Sequence, residues 1–286
     1  MTYSVVIPAY NEEDCLEACI RSVRDGSEQP LEIIVADGGS TDNTVRIAER
    51  MGAVVVNNEK KHAAAGRNAG VSAASGDVIV FLDADCTACD GWLREIKNAF
   101  ESEELDGLGV CIKPAPPANI YEEFWGTLSL QILMSYGDEP YYVKNKTLNE
   151  AFITASCAYK KELLQRLGGF SDYFANNAED IDLCWRALDA GAKLKYVPEA
   201  KILARSPRDL KGIRKKSFRN GVSSSKLQKV YSKSKINFDG RLYKALFSNI
   251  AGVFRGEKYA KLFVYEIVHH LAGKYAGSVR CHVINF

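Results

Sequence analysis

The first hundred residues alternate short apolar runs with amphipathic stretches, and this alternation constrains the fold more than any other feature. Four runs are typical of strands: Val5–Ile7, Ile33–Ala36, Val54–Val56 and Val78–Leu82. Three segments with helical character lie between them: Glu12–Arg24, Thr44–Met51 and Ala63–Ala74. Continuous apolar runs indicate strands buried on both faces, and helices between them imply right-handed crossovers in a parallel sheet. The pattern predicts an α/β protein with a doubly wound, mainly parallel sheet flanked by helices.

The rest of the chain changes character at two points. Pro114–Pro117 is a proline-rich break, after which residues 116–204 mix helical and strand patterns. Residues 205–286 are basic and mostly helical in pattern, and apolar residues recur at helical spacing within Tyr259–Ala272. We therefore predict three segments, 1–115, 116–204 and 205–286, of which the last is a basic helical C-terminal extension with an amphipathic helix.

A net charge of +1 conceals a strong segregation of charge along the chain. Residues 205–261 hold 16 Lys and Arg against 3 Asp and Glu, a balance of +13, so the rest of the chain sums to −12. Together with the amphipathic helix, this basic segment predicts peripheral contact with an anionic membrane. The alternative is a solvated helical surface without a partner.

Several classes of protein are not favoured. No apolar run reaches the about 18 residues that a membrane span needs, and the N-terminus runs straight into a strand-like segment, which leaves no room for a signal peptide. The eight cysteines show no small-scaffold pattern and suit a reducing compartment, so a cytoplasmic protein is expected. Neither a glycine-rich dinucleotide motif nor a P-loop follows a strand. No nucleic-acid partner is expected.

Two acidic clusters are the main candidates for chemistry. Asp83 and Asp85 follow the apolar run Val78–Leu82, and side chains two apart in an extended segment point the same way. Such a pair suits one hard cation, which often takes only one or two carboxylates plus substrate phosphates. Glu179 and Asp180 open a later helical stretch and would supply a separate base. For each cluster alone, the alternative is that strand ends and helix starts simply favour acidic residues.

Six motifs in a fixed order carry a resemblance to a known family. They are Ser4–Glu13, Asp37–Thr44, Gly66–Gly70, Phe81–Asp85, Gly168–Phe170 and Glu179–Arg186. Over roughly residues 3–200 the chain resembles a family 2 glycosyltransferase of the GT-A fold. The set in this order is far more specific than any single motif.

On the donor side, the resemblance implies sugar-nucleotide binding by seven residues: Pro8, Ala9, Tyr10, Glu12, Asp37, Arg67 and Asp83. The first four match the loop that cradles base and ribose, Asp37 matches an acidic residue that accepts a hydrogen bond from the base, and Arg67 matches a basic residue near the nucleotide. Tyr10 offers a flat apolar face for a base, or alternatively packs against the core. Arg67 suits bidentate contact with phosphate, or alternatively an ion pair with an acidic neighbour.

The same resemblance gives the acidic clusters their roles. Asp83 and Asp85 match the DxD pair, whose second carboxylate commonly holds Mn²⁺ or Mg²⁺ against the diphosphate. Asp180 matches the general base, with Glu179 beside it, although an acidic residue near a helix N-terminus equally suits a capping role. Three residues fall on the acceptor side: Gly169, Trp185 and Arg186.

The sequence departs from the family pattern in two places. Paired aspartates usually precede the Gly-Ser of the second motif, whereas this chain has Asp37-Gly38, so one nucleotide contact is missing. Many relatives carry a histidine after the second acidic motif that helps to bind metal or diphosphate. The corresponding residues 202–207 contain none, and Arg205 is the candidate substitute, through direct contact with the diphosphate.

The resemblance thus implies an inverting, metal-dependent hexosyltransferase that acts on a nucleoside-diphosphate sugar, with a UDP-sugar favoured, and on a saccharide or lipid-linked acceptor. Residues 1–115 would form the sugar-nucleotide-binding half of the domain and residues 116–204 the acceptor-binding half. Two alternatives stay open. One is a non-catalytic sugar-nucleotide-binding partner subunit. The other is a nucleotidyltransferase, which normally needs glycine and lysine in its first loop, and Pro8–Glu13 has neither.

Overall fold

The computed structural model describes residues 1–133, 137–175, 177–232, 236–237 and 240–285. The chain divides into two compact units. The sheet unit comprises Met1–Ala115 and Leu130–Arg205, and the helical unit comprises Pro116–Ser129 and Ser206–Phe286. Segment 116–129, which the sequence pattern groups with residues up to 204, therefore belongs with the basic C-terminal part.

Strands and helices alternate through the sheet unit. Its strands are β1 (Tyr3–Ala9), β2 (Glu32–Asp37), β3 (Val54–Asn57), β4 (Val78–Leu82), β5 (Cys86–Ala88), β6 (Gly107–Pro114), β7 (Tyr141–Tyr142), β8 (Ser156–Lys160) and β9 (Leu194–Ala204). Its helices are α1 (Leu16–Arg24), α2 (Thr44–Arg50), α3 (Ala63–Ala73), α4 (Trp92–Ser102), α6 (Lys161–Arg166) and α7 (Glu179–Asp189). The other elements are α5 (Ile120–Leu133), α8 (Leu210–Tyr231), β10 (Ile236–Asn237), α9 (Gly240–Phe254), α10 (Ala260–Cys281) and β11 (Ile284–Asn285).

Nine strands of the described chain form one sheet, in the order β3-β2-β1-β4-β8-β6-β9-β5, with β7 paired to β9. β1 to β4 run parallel to one another. β8 is antiparallel to both β4 and β6, and β5 and β7 are antiparallel to β9. The predicted α/β fold with a large sheet flanked by helices is confirmed. Its second half is mixed in direction, because an apolar run shows that a strand is buried and not which way it runs.

The order of the strands determines where a ligand would bind. From β1 the chain passes to β2 and β3 on one side and then to β4 on the other, so β1 lies at a topological switch point. Ligands of open α/β sheets bind at the carboxyl ends of the strands at such a point. Ala9, Asp37 and Asp83 lie at or just after the ends of β1, β2 and β4 and so at this edge. Other predicted site residues come from helices, among them Arg67 from α3 and Glu179 from α7.

Helix α3 lies unusually close to the sheet at one residue. A Cβ atom on Gly70 would stand 2.2 Å from Cγ1 of Val6 in β1, a distance that real side chains do not tolerate. Only glycine permits this approach. Arg67, one helical turn earlier on α3, is buried with 3% of its surface exposed.

In the helical unit, α8 and α10 approach each other closely through small residues. A Cβ atom on Gly221 of α8 would lie 2.1 Å from the carbonyl oxygen of His270 in α10, and one on Gly273 would lie 2.1 Å from that of Phe218. The ring of the fully buried Phe124 in α5 makes an edge-to-face contact with Phe263 of α10, with 4.9 Å between centroids. In the part of the chain that is described, no helix has both the length and the apolarity to cross a bilayer.

Candidate active site

The loops after β1 and β2 are held together by side-chain hydrogen bonds. Asn11 adopts a left-handed conformation with φ 56°, in which its amide nitrogen donates to Oγ of Ser40 at 2.9 Å and its Oδ1 accepts from the Thr41 amide at 2.8 Å. The amide of Glu12 donates to Oγ1 of Thr44 at 2.8 Å. These bonds fix the first loop, including Pro8 and Ala9 at the end of β1, against the start of α2.

Tyr10 and Asp37 differ in their surroundings. The side chain of Tyr10 is 58% exposed, so its ring is open to solvent rather than packed in the core. Asp37 is buried, and its carboxylate accepts hydrogen bonds from the amides of Gly39 at 2.9 Å and Ser40 at 3.1 Å. Asp37 thus shapes the turn after β2. A carboxylate offers about four acceptor positions, so these bonds leave capacity for a nucleobase.

Negative charge is concentrated at the end of β4. Burial, followed by the charges of Asp85 and Asp83, raises the pKa of Glu12 to about 7. The same two aspartates contribute to the raised pKa of the Cys86 thiol, behind the larger effect of burial. Carboxylates that disfavour each other's ionisation create a field that a cation relieves.

The residues at this site fit a divalent cation that is shared with a ligand. Among the described residues, no group of three His, Cys, Asp or Glu side chains is arranged to hold a metal ion. Mg²⁺ and similar hard cations often take only one or two carboxylates and complete their coordination with water and substrate phosphates. Asp85 and Asp83 supply oxygen ligands of that kind within a negative field.

Arg67 joins the two acidic clusters. Its Nη2 lies 2.7 Å from Oδ1 of Asp83, and its Nη1 lies 2.7 Å from Oε1 of Glu179. The guanidinium also lies over the ring of Phe170, 5.7 Å from the centroid. Burial alone would lower the pKa of Arg67, but the charges of Asp83 and Glu179 raise it above the usual value, so the side chain stays protonated. In the structure, Arg67 therefore makes ion pairs with acidic neighbours, which was the alternative to a contact with phosphate.

The acidic pair at the start of α7 lies in an environment that favours the protonated form. Burial raises the pKa of Glu179 to about 7 although Arg67 opposes the shift. Burial also raises the pKa of Asp180, against hydrogen bonds from the amides of Ile181 at 2.8 Å and Thr154 at 3.3 Å. Ala178, directly before the pair, has φ 67°, a conformation that is uncommon outside glycine. This turn directs α7 so that it begins at the acidic pair.

The predicted acceptor-side residues form a scaffold around one turn. The Asn68 side chain exchanges two hydrogen bonds of 2.8 Å with the backbone of Phe170. A Cβ atom on Gly169 would lie 2.4 Å from Oδ1 of Asn68. Arg186 donates to the carbonyl oxygens of Leu167 at 2.9 Å and Gly169 at 2.8 Å. The side chain of Trp185 is buried. Direct contact of these residues with an acceptor stays a prediction.

Arg205 lies beside the first acidic cluster. Its amide donates to the carbonyl oxygen of Asp85 at 3.1 Å, just after β9 ends. Its Nη1 contacts Sγ of Cys15 at 2.7 Å and the carbonyl oxygen of Asp14 at 3.4 Å. The residue that occupies the region of the missing histidine is thereby held next to the first loop and the predicted metal ligand.

Three parts of this site were not identified from the sequence. Asn68 lies inside a recognised motif, and its position beside Arg67 was the available signal. Asn11 lies in the first of the six motifs, and asparagine is one of the residues that most often adopt a positive φ in loops. The contact of Thr154 with Asp180 depends on the packing of a distant loop, and no local pattern indicates it.

Comparison with known proteins shows which family the chain resembles. Residues 4–168 match the sequence profile of Glycosyl transferase family 2. A pre-mycofactocin glycosyltransferase of Mycobacterium tuberculosis is 30% identical over 206 residues, which make up 69% of this chain and 41% of that protein. This chain therefore spans less than half of the length of that relative. A GalNAc(5)-diNAcBac-PP-undecaprenol beta-1,3-glucosyltransferase of Campylobacter jejuni is 25% identical over 276 residues, covering 87% of this chain and 88% of that protein.

A solved structure shares the fold. Glucosyl-3-phosphoglycerate synthase of Mycobacterium tuberculosis, crystallised with Mn²⁺, UDP and glucosyl-3-phosphoglycerate, superposes with a TM-score of 0.57 at 22% identity, covering 79% of this chain and 78% of that chain. The profile match extends over more than half of the chain, and the motifs that it covers meet at one edge of the sheet. The chain belongs to Glycosyl transferase family 2 and has the GT-A fold.

Proposed function

We propose that this chain is an active glycosyltransferase, which moves a hexosyl group, with inversion, from a nucleoside-diphosphate sugar to an acceptor hydroxyl. The observation that carries the proposal is the buried guanidinium of Arg67, which contacts both Asp83 and Glu179 at 2.7 Å. Through it, a cluster suited to a cation and a diphosphate lies next to a cluster suited to removing a proton. Those are the two requirements for expelling a nucleoside diphosphate while activating a hydroxyl nucleophile.

The donor would lie along the carboxyl ends of β1, β2 and β4. The exposed ring of Tyr10 offers a stacking surface for the base, and the Asp37 carboxylate has acceptor capacity to spare for a base N–H. Pro8, Ala9 and Glu12 would complete this loop around the ribose. A UDP-sugar is favoured, and the complexes of the mycobacterial synthase with UDP support this choice.

A divalent cation, Mn²⁺ or Mg²⁺, would be held by Asp85 with Asp83 beside it. When bound there, it would neutralise charge that develops on the departing diphosphate. Burial is the main cause of the raised pKa of Glu12, and the added effect of the Asp85 and Asp83 charges supports this assignment, as does the Mn²⁺ that accompanies UDP in the mycobacterial synthase. Arg205, next to Asp85, would add a positive charge to the same region.

Asp180 would act as the base. Its carboxylate would take the proton of the acceptor hydroxyl as that oxygen attacks the anomeric carbon and the bond from this carbon to the diphosphate breaks. Burial raises the pKa of Asp180 above its usual value, which makes its carboxylate a stronger base near neutral pH. Glu179, paired with Arg67, would position Asp180 rather than accept the proton.

We assign acceptor recognition to the part of residues 116–204 that lies in the sheet unit, including Gly169, Trp185 and Arg186, and we propose a saccharide on a lipid carrier as the acceptor. The relative that matches nearly the full chain is named for a GalNAc(5)-diNAcBac-PP-undecaprenol acceptor. The basic segment 205–261 supports a place for the enzyme at the cytoplasmic face of an anionic membrane.

Thermal unfolding with UDP, GDP and dTDP, each with and without Mn²⁺, tests the donor site. A nucleotide at 100 times its dissociation constant adds about 2.7 kcal/mol to the free energy of unfolding. We expect UDP to stabilise the protein most, and only with Mn²⁺. Equal, metal-independent effects of all three nucleotides would contradict the proposed site.

Hydrolysis of UDP-hexoses in the absence of acceptor separates an enzyme from a non-catalytic partner subunit. We expect slow release of UDP that requires Mn²⁺ and falls in the Asp85→Ala variant. Binding of UDP without any release from UDP-glucose, UDP-galactose or their N-acetyl forms would favour the partner subunit. Release of pyrophosphate from a nucleoside triphosphate and a sugar phosphate would instead indicate a nucleotidyltransferase.

A further inference from the structure

One face of α9 exposes large apolar side chains to solvent. Phe247 is 67% exposed, Ile250 is 38% exposed and Phe254 is 88% exposed. Their spacing of three and then four residues places them on one side of the helix. Two phenylalanines at such exposure on one helix face are costly in water, and contiguous exposed apolar surface marks an interaction site.

The helical unit that carries this face is strongly basic. Helix α9 contains no acidic residue, and its Lys244 is exposed. Arg255, directly after the helix, is also exposed but pairs with Glu257 at 2.8 Å. Helix α8 carries seven Lys and Arg and no Asp or Glu. The helical unit as a whole holds 17 Lys and Arg against 6 Asp and Glu. The surface that the apolar face would meet should therefore be anionic.

The helix predicted for membrane contact is only partly covered. The predicted amphipathic helix Tyr259–Ala272 lies within α10, so its helical form is correct. Part of its apolar surface is covered inside the helical unit, because Leu262 and Phe263 pack around Phe124, and Ile267 is 4% exposed. Val268 is 47% exposed, however, and further along α10 Tyr275 and Val279 are each 60% exposed. Among the described residues, the two most exposed large apolar side chains, Phe247 and Phe254, lie on α9.

We propose that the helical unit docks on an anionic lipid bilayer, with Phe247, Ile250 and Phe254 of α9 inserted at the level of the headgroups. Helices with one apolar face and basic surroundings lie in the plane of the membrane interface, where aromatic side chains are favoured. This docking surface rests on the proposed membrane location of the enzyme and not on the transfer reaction.

A bilayer suits this face better than a second copy of the chain. A two-fold contact between copies would bring the same face of each together, and with it two helical units of strong positive charge. Like charges repel across such a contact, whereas an anionic leaflet attracts the helical unit of every copy. The absence of a spanning helix among the described residues agrees with shallow, peripheral binding.

Flotation of the full chain with vesicles tests this proposal without donor or acceptor. Vesicles of phosphatidylcholine alone are compared with vesicles that contain phosphatidylglycerol, at low and high salt. We expect binding to the anionic vesicles that weakens with salt. The Phe247→Ser/Phe254→Ser variant should bind the anionic vesicles about 100-fold or more weakly, since it lacks the two rings that would be buried in the bilayer. In the Lys211→Gln/Lys215→Gln variant, the affinity for anionic vesicles should fall about fivefold for each charge removed.

A matched control is Leu31→Ser, which removes an apolar side chain with 55% exposure from the sheet unit and should leave vesicle binding unchanged. Thermal unfolding and circular dichroism of each variant establish that it is folded. Unchanged binding of the folded Phe247→Ser/Phe254→Ser variant would overturn the proposal. So would sedimentation showing a wild-type dimer that this variant dissociates, because the face would then be a contact between copies.

Discussion

Arg67 and Glu179 form a buried ion pair with 2.7 Å between Nη1 and Oε1, although 112 residues separate them in the chain. The second arm of the guanidinium holds Asp83 at the same distance. One side chain thus sets the spacing between the predicted donor and base clusters. Burial raises the pKa values of both Glu179 and Asp180, and the charge of Arg67 opposes that rise. The position of Arg67 therefore affects the ionisation of the base.

Arg67→Gln should shift the pH dependence of transfer. The base must be ionised, so the rate rises with pH as the acidic pair loses its proton. Because Arg67 lowers the pKa values of Glu179 and Asp180, its removal should move this rise to higher pH. Breaking a buried pair should also cost about 3–5 kcal/mol of stability. Profiles of kcat/KM against pH, with urea unfolding, measure both effects.

The conservative variant separates charge from packing. Arg67→Lys keeps the positive charge, so its pH profile should lie closer to that of the wild type even if its rate is lower. Arg50→Gln alters an exposed arginine that pairs with Glu17 and should change neither quantity. A folded Arg67→Gln protein with an unchanged pH profile would show that Arg67 does not influence the base.

The two members of the acidic pair should respond differently to loss of charge. Asp180→Asn should bind UDP as the wild type does, because only the proton acceptor is removed, while transfer falls by about 10²- to 10⁴-fold. Glu179→Gln should retain more activity and lose stability, since Arg67 is left buried with one partner fewer. Single-turnover rates and the UDP-induced shift in melting temperature are the measurements. A nearly normal Asp180→Asn and an inactive Glu179→Gln would reverse the assignment.

Asp85→Ala should abolish the dependence of donor cleavage on a divalent cation. Loss of the main predicted ligand should reduce the rate on the order of 10³-fold. Titration of Mn²⁺ into wild type and variant, followed by release of UDP, measures both the rate and the apparent metal affinity. Asp90→Ala, an exposed aspartate after β5, is the matched control. Full activity of Asp85→Ala in the presence of EDTA would exclude the assigned role.

Local patterns were sufficient for part of the fold. Strands β1 to β4 were identifiable because each is a continuous apolar run, and the acidic clusters were identifiable because each lies at the end of an element. The direction of the strands in the second half of the sheet could not be predicted. β8 pairs antiparallel with β4, and a buried strand looks the same in sequence whichever way it runs.

Features that depend on distant packing could not be predicted. The partners of Arg67 follow from the approach of α3 to the sheet and from the position of α7, which no local pattern encodes. Helical periodicity within Tyr259–Ala272 identified an apolar face, but not the residues that cover it. The exposed face of α9 was hidden for the same reason, because apolar residues at helical spacing look alike whether they are covered or not.

The close approach of α3 to β1 gives a test of how the site is positioned. Gly70→Ala should destabilise the protein by about 1–3 kcal/mol, because its Cβ would stand 2.2 Å from Cγ1 of Val6 and force α3 away from the sheet. Arg67 is on the same helix, so the displacement should also loosen its contacts with Asp83 and Glu179 and reduce transfer.

Val6→Ala removes the clashing methyl groups and should restore part of the loss. In a double-mutant cycle measured by urea unfolding, Gly70→Ala/Val6→Ala should be more stable than the sum of the single changes predicts. Gly191→Ala is an unsuitable control, since φ at that residue is +77° and the substitution would be strained without any clash. Additive effects of the two changes would mean that α3 accommodates the methyl group elsewhere, and the helix position would not depend on Gly70.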